Sequence, residues 1–410
     1  MRCAPVVLLA AAGLATAAGL PAACDAQLPD TARYRAVATS VHPRGTVVSI
    51  AVSIPAGSAA DQEGLGGTAW LLGHVLAYRA EAAGGPGTTV DVEVTPGETL
   101  FTIMTLPEHW FDAWTRVESV IFGTLPEGAD IEERRREVLD DLVFDAGSPV
   151  RNFELEALRL ISPTGHPWAR SVLGTAESLA NVSALSLRLF LGNEYRARDA
   201  TVAVVGPLGI VAPSPVQAPD ATGSSATGPA WQSGSQFDLL QDITNSWIAV
   251  AWPVAPEVGR TSLEFLAHLL AEQLDPQPPD PDRYSLDVHI EDTPTGPVVM
   301  VEAAVFPEAA DRWEARILSA AGVLAGRAMD EDFIGWRRRR FRTARLLAES
   351  RPEAKAARIA RDLVRDGAAR SLSLEIWDLD ATDLHRAAGA LGAPRILRLG
   401  PDMGPDQSRK

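Results

Sequence analysis

The residues of greatest chemical interest lie in one short, mostly apolar segment, residues 67–76. In the inverted zinc motif His-x-x-Glu-His, two histidines one helical turn apart hold the metal, and the glutamate beside the second one activates a water molecule. The three corresponding positions here are Trp70, Gly73 and His74. The segment therefore keeps one metal-ligating side chain and lacks the general base.

The residues around these positions, Gly-Thr-Ala before them and Val-Leu after them, are the small and apolar types with which such a helix packs. This frame resembles the insulinase-like (pitrilysin, M16) metallopeptidases. In that family, a glutamate on a helix several dozen residues downstream provides the third zinc ligand. Residues 132–142 resemble that helix and place Asp141 at the ligand position. The resemblance thus implies a vestigial site made of Trp70, Gly73, His74 and Asp141.

Further passages extend the resemblance along the whole chain. Residues 165–168, Gly-His-Pro-Trp, and residues 173–179, Leu-Gly-Thr-Ala-Glu-Ser-Leu, are similar to a family passage that follows the third ligand. The apolar residues 200–206 resemble the strand that closes each half of the family fold. The chain is therefore similar to a degenerate member of the M16 family, which includes the mitochondrial processing peptidases.

A second family feature is an arginine followed seven residues later by a tyrosine, both of which contact the substrate from the second half. Tyr284, just before a predicted strand, matches the tyrosine, but Gln277 stands where the arginine would be. Arg283 is the alternative arginine. Tyr284 and Arg283 are therefore the candidate substrate-binding residues.

The ligand count argues against a zinc ion at the vestigial site. Structural and catalytic zinc sites have at least three protein ligands, and the motif positions supply only His74 and Asp141. His166 is a conceivable third ligand, although a histidine before a proline in a loop is more often structural. Without a glutamate at position 73, a bound water would have no general base. We therefore expect no metal, no cofactor and no catalytic residue, and zinc only if the chain is an active peptidase.

The N-terminus predicts export. Arg2, an apolar run over residues 6–20 and small residues up to Ala26 have the layout of a secretory signal peptide, so we expect a periplasmic protein. Cleavage after Ala26 would remove Cys3 and Cys24, the two cysteines of the chain. A lipid anchor on Cys24 is the alternative, although Pro21 fits a lipobox poorly. After this segment, no apolar run is long enough to span a membrane.

Charge restricts the possible partners. The 410 residues carry a formal net charge of −16, so nucleic acid would repel the chain. The one basic run, residues 337–340, lies in a predicted helix, where successive side chains point about 100° apart and cannot form one flat patch. Pairing with neighbouring acids on a solvated helix face is the expected role of this run.

The order of predicted elements indicates an internal repeat. Residues 27–212 and 237–402 each read as a strand, a helix, two strands, several helices and a closing strand, with a Pro/Gly/Ser-rich linker over 213–236 and a tail over 403–410. Alternation in residues 90–94 and 286–290 predicts sheets with one covered face. We therefore predict an α+β protein of two similar tandem lobes, each a mostly antiparallel sheet packed with helices. The resemblance implies the M16, or LuxS/MPP-like, metallohydrolase fold, with two halves that close like a clam shell.

Three functions are consistent with these features. The first is an inactive M16-like subunit that pairs with an active zinc peptidase, as a heterodimer, to complete a peptide-degrading chamber. The second is a stand-alone periplasmic module, a monomer or a homodimer, that binds peptides or proteins without cutting them. The third is an active but unusual zinc metalloendopeptidase.

Overall fold

The computed structural model describes residues 29–123, 125, 129–145, 148–211, 234–239, 243–255, 257–275, 279–326, 330–368 and 376–401. The predicted signal peptide (1–26), residues 213–233 of the predicted linker, and the tail (403–410) lie outside these residues. No helix in the described part of the chain is both long enough and apolar enough to cross a bilayer.

Strands and helices follow each other in the same general order in both halves. The first half contains, in chain order, Ala36–Val41 (β1), Val48–Ile54 (β2), Thr68–Gly84 (α1), Thr89–Val94 (β3), Thr99–Thr105 (β4), Trp110–Ile121 (α2), Ala129–Asp145 (α3), Pro149–Ile161 (α4), Ala176–Asn181 (α5), Ala184–Glu194 (α6) and Thr201–Gly206 (β5). The second half contains Gly234–Leu239 (β6), Ser246–Pro253 (β7), Arg260–Leu274 (α7), Arg283–Thr293 (β8), Gly296–Val305 (β9), Ala310–Gly326 (α8), Glu331–Ala348 (α9), Pro352–Asp366 (α10), Ala381–Gly389 (α11) and Arg395–Gly400 (β10).

The two sheets have the same topology. The strand order is β1-β5-β2-β4-β3 in the first sheet and β6-β10-β7-β9-β8 in the second. In each sheet the first pair is parallel, β1 with β5 and β6 with β10, and every other pair is antiparallel. This confirms the predicted α+β class with two similar, mostly antiparallel lobes.

Strands β1 and β6 were not predicted from the sequence. Both lie at the edge of a sheet and pair in parallel with the closing strand of their own half. Strand β6 begins at Gly234, inside the segment predicted as a linker. An edge strand forms because a neighbouring strand offers hydrogen bonds, and neither segment has the apolar alternation that would indicate a strand on its own.

Each sheet has a large apolar core on one face. In the first half, α1 and α2 cover the sheet, and Trp114 is completely enclosed between them and the strands. In the second half, α7 and α8 cover the sheet in the same way, with Trp313 in the equivalent central position. These cores fix α1 and α7 against the strands beside them.

The other face of each sheet is covered by a helix from the opposite half. Helix α10 packs Ile359 and Leu363 against the first sheet, and α4 packs Phe153 and Leu160 against the second. The Thr201 hydroxyl of β5 also donates to the Ala360 carbonyl of α10 at 2.8 Å. The two halves therefore share two buried cores. A clam-shell motion of the halves within one chain, which the family resemblance implied, would have to open both cores, so this expectation does not fit the fold.

Candidate functional site

The three motif positions lie together on α1. The Trp70 indole packs against the His74 imidazole, with ring centroids 4.4 Å apart. Gly73 is buried and faces β3: a Cβ atom added there would lie 3.1 Å from Cγ2 of Val94 and 3.3 Å from Cγ2 of Val92. Such distances are shorter than ordinary van der Waals contact, so position 73 has little room for a larger side chain.

The start of α1 is held by Asp61, a buried residue that precedes the helix. Its carboxylate accepts hydrogen bonds from the backbone N–H of Gly67 at 2.7 Å and of Ala69 at 2.9 Å. Because the first N–H groups of a helix have no partner within it, this carboxylate acts as a cap from a distance. Burial nevertheless raises the pKa of Asp61 to about 6. The position of α1 thus depends on a carboxylate that the vestigial motif does not contain.

The passage at residues 173–179 also holds the start of α1. The Ser178 hydroxyl donates to the Gly66 carbonyl at 2.8 Å. Gly67 and Gly174 both have left-handed backbones, with φ values of 88° and 74°. A Cβ atom on Gly67 would come within 2.4 Å of the Leu173 carbonyl oxygen. The two passages that resemble the family most closely are therefore in direct contact, and this contact needs glycine.

His166, considered as a replacement ligand, has a structural role. Its Nδ1 atom accepts a hydrogen bond from the backbone N–H of Trp168 at 3.2 Å, which caps the short helical turn that follows. The Trp168 ring in turn packs over Gly97, at the turn between β3 and β4. Among the side chains that the structure describes, no group of three metal donors includes His166 or His74.

Asp141, at the position of the third ligand, belongs to α3, but its side chain lies outside the described residues. Helix α3 is attached to α1 by other contacts. The Arg79 guanidinium pairs with the Asp130 carboxylate and holds the pKa of that carboxyl below its usual range. Arg134 lies over the Tyr78 ring, 4.6 Å from its centroid. Helices α1 and α3, which correspond to the two ligand-bearing helices of the family, therefore pack against each other.

A cavity of about 260 Å³ opens beside Trp70. Its walls come from α1, α3, β3, α4 and the loop before α5. They are mostly apolar, with Arg151 and Glu154 of α4 as the charged residues. All the residues that line this cavity belong to the first half.

The described donors do not fit a zinc site of the inverted-motif type. Position 70 supplies an indole and position 73 no side chain, which leaves His74 as the single described ligand on α1. A catalytic zinc site needs three protein ligands and an open position for water. We therefore derive no zinc-dependent step at this site.

The candidate substrate-binding residues lie on the other half, at the start of β8. Tyr284 is 53% exposed, and its ring packs on Phe306 with centroids 4.8 Å apart. Arg283 is mostly buried, pairs with Asp275 at 2.7 Å, and lies 5.8 Å from the Trp313 ring centroid. Arg283 lines a different cavity from Trp70. The structure therefore does not place Arg283 at the Trp70 cavity, and substrate binding by Tyr284 and Arg283 stays a prediction.

The second half contains a counterpart of His74 that the sequence analysis did not recognise. The pattern of buried positions on α1 recurs on α7. When the two patterns are aligned, His74 matches His268, Gly73 matches Ala267 and Trp70 matches Glu264. The His268 ring lies 5.2 Å from that of Phe341, and burial lowers its pKa. An alignment of the apolar positions in the two helix sequences would have revealed this match from the sequence.

His268 lines a cavity of about 680 Å³ between α7, β8 and α9. Residues of the basic run contribute to its wall, and they are paired as expected: Arg337 and Arg340 both contact Glu272, at 2.9 and 3.0 Å. The Arg337 guanidinium also lies 4.3 Å from the Trp336 ring centroid. This cavity therefore combines aromatic surface with charges of both signs.

The sequence matches no family model and no curated protein. The fold, in contrast, is similar to several solved structures. The inactive domain of a peptidase M16 protein from Pseudomonas fluorescens has a TM-score of 0.72 at 13% identity, covering 92% of this chain and 98% of that chain. A chain of Complex III2 from Candida albicans, with Inz-5 bound, has a TM-score of 0.69 at 14% identity, covering 89% and 93%. The periplasmic protease PqqL from Escherichia coli has a TM-score of 0.64 at 12% identity, covering 88% of this chain and 43% of that one.

Together, the duplicated sheets, the helix pair α1 and α3 and these neighbours define an M16 peptidase-like fold. The family resemblance inferred from residues 67–76 and 132–142 is thus confirmed at the level of the fold. At these identities, the similarity describes architecture and does not transfer activity.

Proposed function

We propose that this chain is a catalytically inactive M16-like subunit that pairs with an active zinc peptidase to complete a peptide-degrading chamber. The observation that carries the proposal is the state of α1. An indole packed on His74 and a glycine enclosed by two valines occupy the positions where the motif would have a ligand and a general base. Hydrolysis needs a metal with three ligands and a base within reach of the water, and the described residues of α1 offer neither.

The shared cores of the two halves support a function that involves a partner. Because α4 and α10 each cover the sheet of the opposite half, one chain cannot open and close around a peptide at the linker. A second chain facing this one can enclose a chamber without disturbing those cores. One neighbour in fold belongs to a multi-subunit assembly, Complex III2, and another is an inactive M16 domain. These neighbours support the pairing.

A periplasmic location is part of the proposal. It is supported by the predicted signal peptide over residues 1–26 and by the fold similarity to a periplasmic protease. Lipidation at Cys24 remains the alternative to a free N-terminus.

The test is to purify the tagged full-length chain from its own cell envelope and to identify stoichiometric companions by mass spectrometry. We expect a companion with an intact His-x-x-Glu-His motif, and peptidase activity in the complex. His74→Ala in this chain should leave that activity within about twofold, whereas replacing the motif glutamate of the companion should abolish it. Loss of activity in His74→Ala, with the complex intact, would contradict the assignment of an inactive subunit.

The second candidate, a stand-alone peptide-binding module, is favoured by the 680 Å³ cavity with its aromatic and charged lining. Purification of the chain alone, together with binding of unfolded peptides that remain uncut, would support this function in place of the first. Zinc-dependent cleavage by the isolated chain would support the third, an active metalloendopeptidase.

A further inference from the structure

A group of metal-binding side chains lies on the second sheet, outside the vestigial motif. Asp287 and His289 lie two residues apart on β8, and the strand register places Asp287 directly opposite Glu302 of β9. Because residues two apart on a strand project from the same face, the three side chains converge. One donor atom from each lies within 4.8 Å of the other two. This is the only such group of three among the described residues.

His289 is at the centre of the group. Its Nδ1 atom is 2.7 Å from an oxygen of Asp287, and its Nε2 atom is 3.6 Å from an oxygen of Glu291, the next residue on the same face of β8. The group therefore contains one imidazole and two carboxylates, with Glu291 beside the other ring nitrogen of His289. Mixed nitrogen and oxygen donors of this kind suit divalent first-row transition metals.

The surroundings of Glu302 leave its charge uncompensated. The neighbouring residues on this face of β9, Val298 and Met300, are buried under α4. Among the described hydrogen bonds and ion pairs, none joins Glu302 to a lysine or an arginine. Glu302 is partly buried, and a carboxylate held away from water usually has a cationic partner, whereas the donor groups that converge with it here are the carboxylate of Asp287 and the imidazole of His289.

We propose that Asp287, His289 and Glu302 bind one divalent transition-metal ion, such as Zn²⁺. The ion would relieve the repulsion among the carboxylates and join the edge strand β8 to β9. Since β8 pairs with one neighbour only, this link stabilises the exposed side of the second sheet. The site does not depend on the proposed pairing with a peptidase.

The test is a metal titration of the full chain after treatment with EDTA and removal of the chelator. We expect calorimetry with Zn²⁺ at pH 7 to show one ion per chain, and Co²⁺ to give the visible absorption of a nitrogen-containing site. His289→Ala and Glu302→Gln should each weaken binding at least about tenfold. His385→Ala, which removes an exposed histidine of α11, is the matched control and should bind as the unmodified chain does.

Thermal unfolding gives an independent measurement. Saturating Zn²⁺ should raise the Tm of the unmodified chain and of His385→Ala, but not that of His289→Ala. If Glu302→Gln does not fold, Asp287→Asn replaces it, because Asp287 is exposed and its loss leaves no cavity. Failure of the unmodified chain to bind Zn²⁺, or binding that survives both His289→Ala and the carboxylate variant, would overturn the proposal. A Tm of the unmodified chain that does not respond to Zn²⁺ would also overturn it.

Discussion

Trp70 and His74 are one helical turn apart on α1, and their rings are in contact, with centroids 4.4 Å apart and planes inclined by 41°. These are the two positions at which the inverted zinc motif has its histidines. The contact gives the histidine a packing partner in place of a shared metal ion. Trp70 also lines the 260 Å³ cavity and packs against the core of the first half.

The packing role of Trp70 can be tested by truncation. Because the indole is half-buried, we expect Trp70→Ala to lower the free energy of unfolding by about 1–3 kcal/mol, less than a fully buried tryptophan would. Trp70→Phe keeps a ring over His74 and should cost less than half as much. Urea denaturation measures both values. Equal losses in the two variants would mean that the ring contact contributes nothing.

Gly73 should be intolerant even of alanine. Alanine at an ordinary helix position stabilises by about 1 kcal/mol relative to glycine, and Gly322 on α8 is such a position, since no atom lies within 4 Å of the Cβ that would be added. We expect Gly322→Ala to gain that amount. Gly73→Ala should lose about 1–2 kcal/mol, because Val92 and Val94 must move. A gain in both variants would show that β3 adjusts freely.

Rebuilding the motif should fail for lack of space. Trp70→His, Gly73→Glu and Asp141→Glu together supply the ligands and the base, but the glutamate must enter the gap between α1 and β3. We expect the triple variant to remain inactive on peptide substrates, and to unfold at a lower urea concentration than the double variant that keeps Gly73. Zinc-dependent cleavage by the triple variant would show that the scaffold still presents the catalytic geometry.

The buried carboxyl of Asp61 should make stability depend on pH. Its pKa of about 6 in the folded chain lies above the usual value of about 3.9, so the folded state binds the proton more tightly than the unfolded state. The free energy of unfolding contributed by this group is therefore highest below about pH 4 and falls as pH rises through about 6. The unmodified chain should lose about 2–3 kcal/mol of unfolding free energy between pH 4 and pH 7 through this group, and Asp61→Asn should not show that loss.

The control for that experiment is Glu63→Gln, which changes the net charge equally at an exposed position two residues away. Urea denaturation at both pH values should show the pH-dependent loss of stability in the unmodified chain and in Glu63→Gln. The loss should be absent in Asp61→Asn. The same slope in all three proteins would remove Asp61 from the explanation.

Because the two halves share buried cores, a destabilising substitution in one half should also destabilise the other half. Leu363 of α10 is fully buried against the first sheet, so Leu363→Ala should cost about 2–5 kcal/mol. Leu347→Ala, on the exposed face of α9, should cost less than about 0.5 kcal/mol. Hydrogen exchange should accelerate at the amide of Ala203 on β5 in the first variant. Acceleration confined to the second half would contradict a shared core.

The sequence predicted many of the helices and strands, but not which surfaces they pack against. The alternating strands β3 and β8 were predicted because periodicity shows which side of an element is apolar. Periodicity does not show which surface covers that side, so the exchange of α4 and α10 was not foreseen. Edge strands β1 and β6 were missed because they depend on pairing. The loss of a ligand at Trp70 and of the general base at Gly73 could be predicted from the motif. The cluster around His289 could not, because it depends on a register between β8 and β9 that residue spacing alone does not reveal.

Because each sheet is covered on one face by a helix of the other half, the order of synthesis limits when each half can complete its folding. The strands of the first sheet are all present once the ribosome has passed Gly206, but the helix that covers its second face ends at Asp366. Until then Ala38, Ala51 and Ala203 remain uncovered on a nascent chain. The first half therefore cannot reach its final stability until α10 has been synthesised.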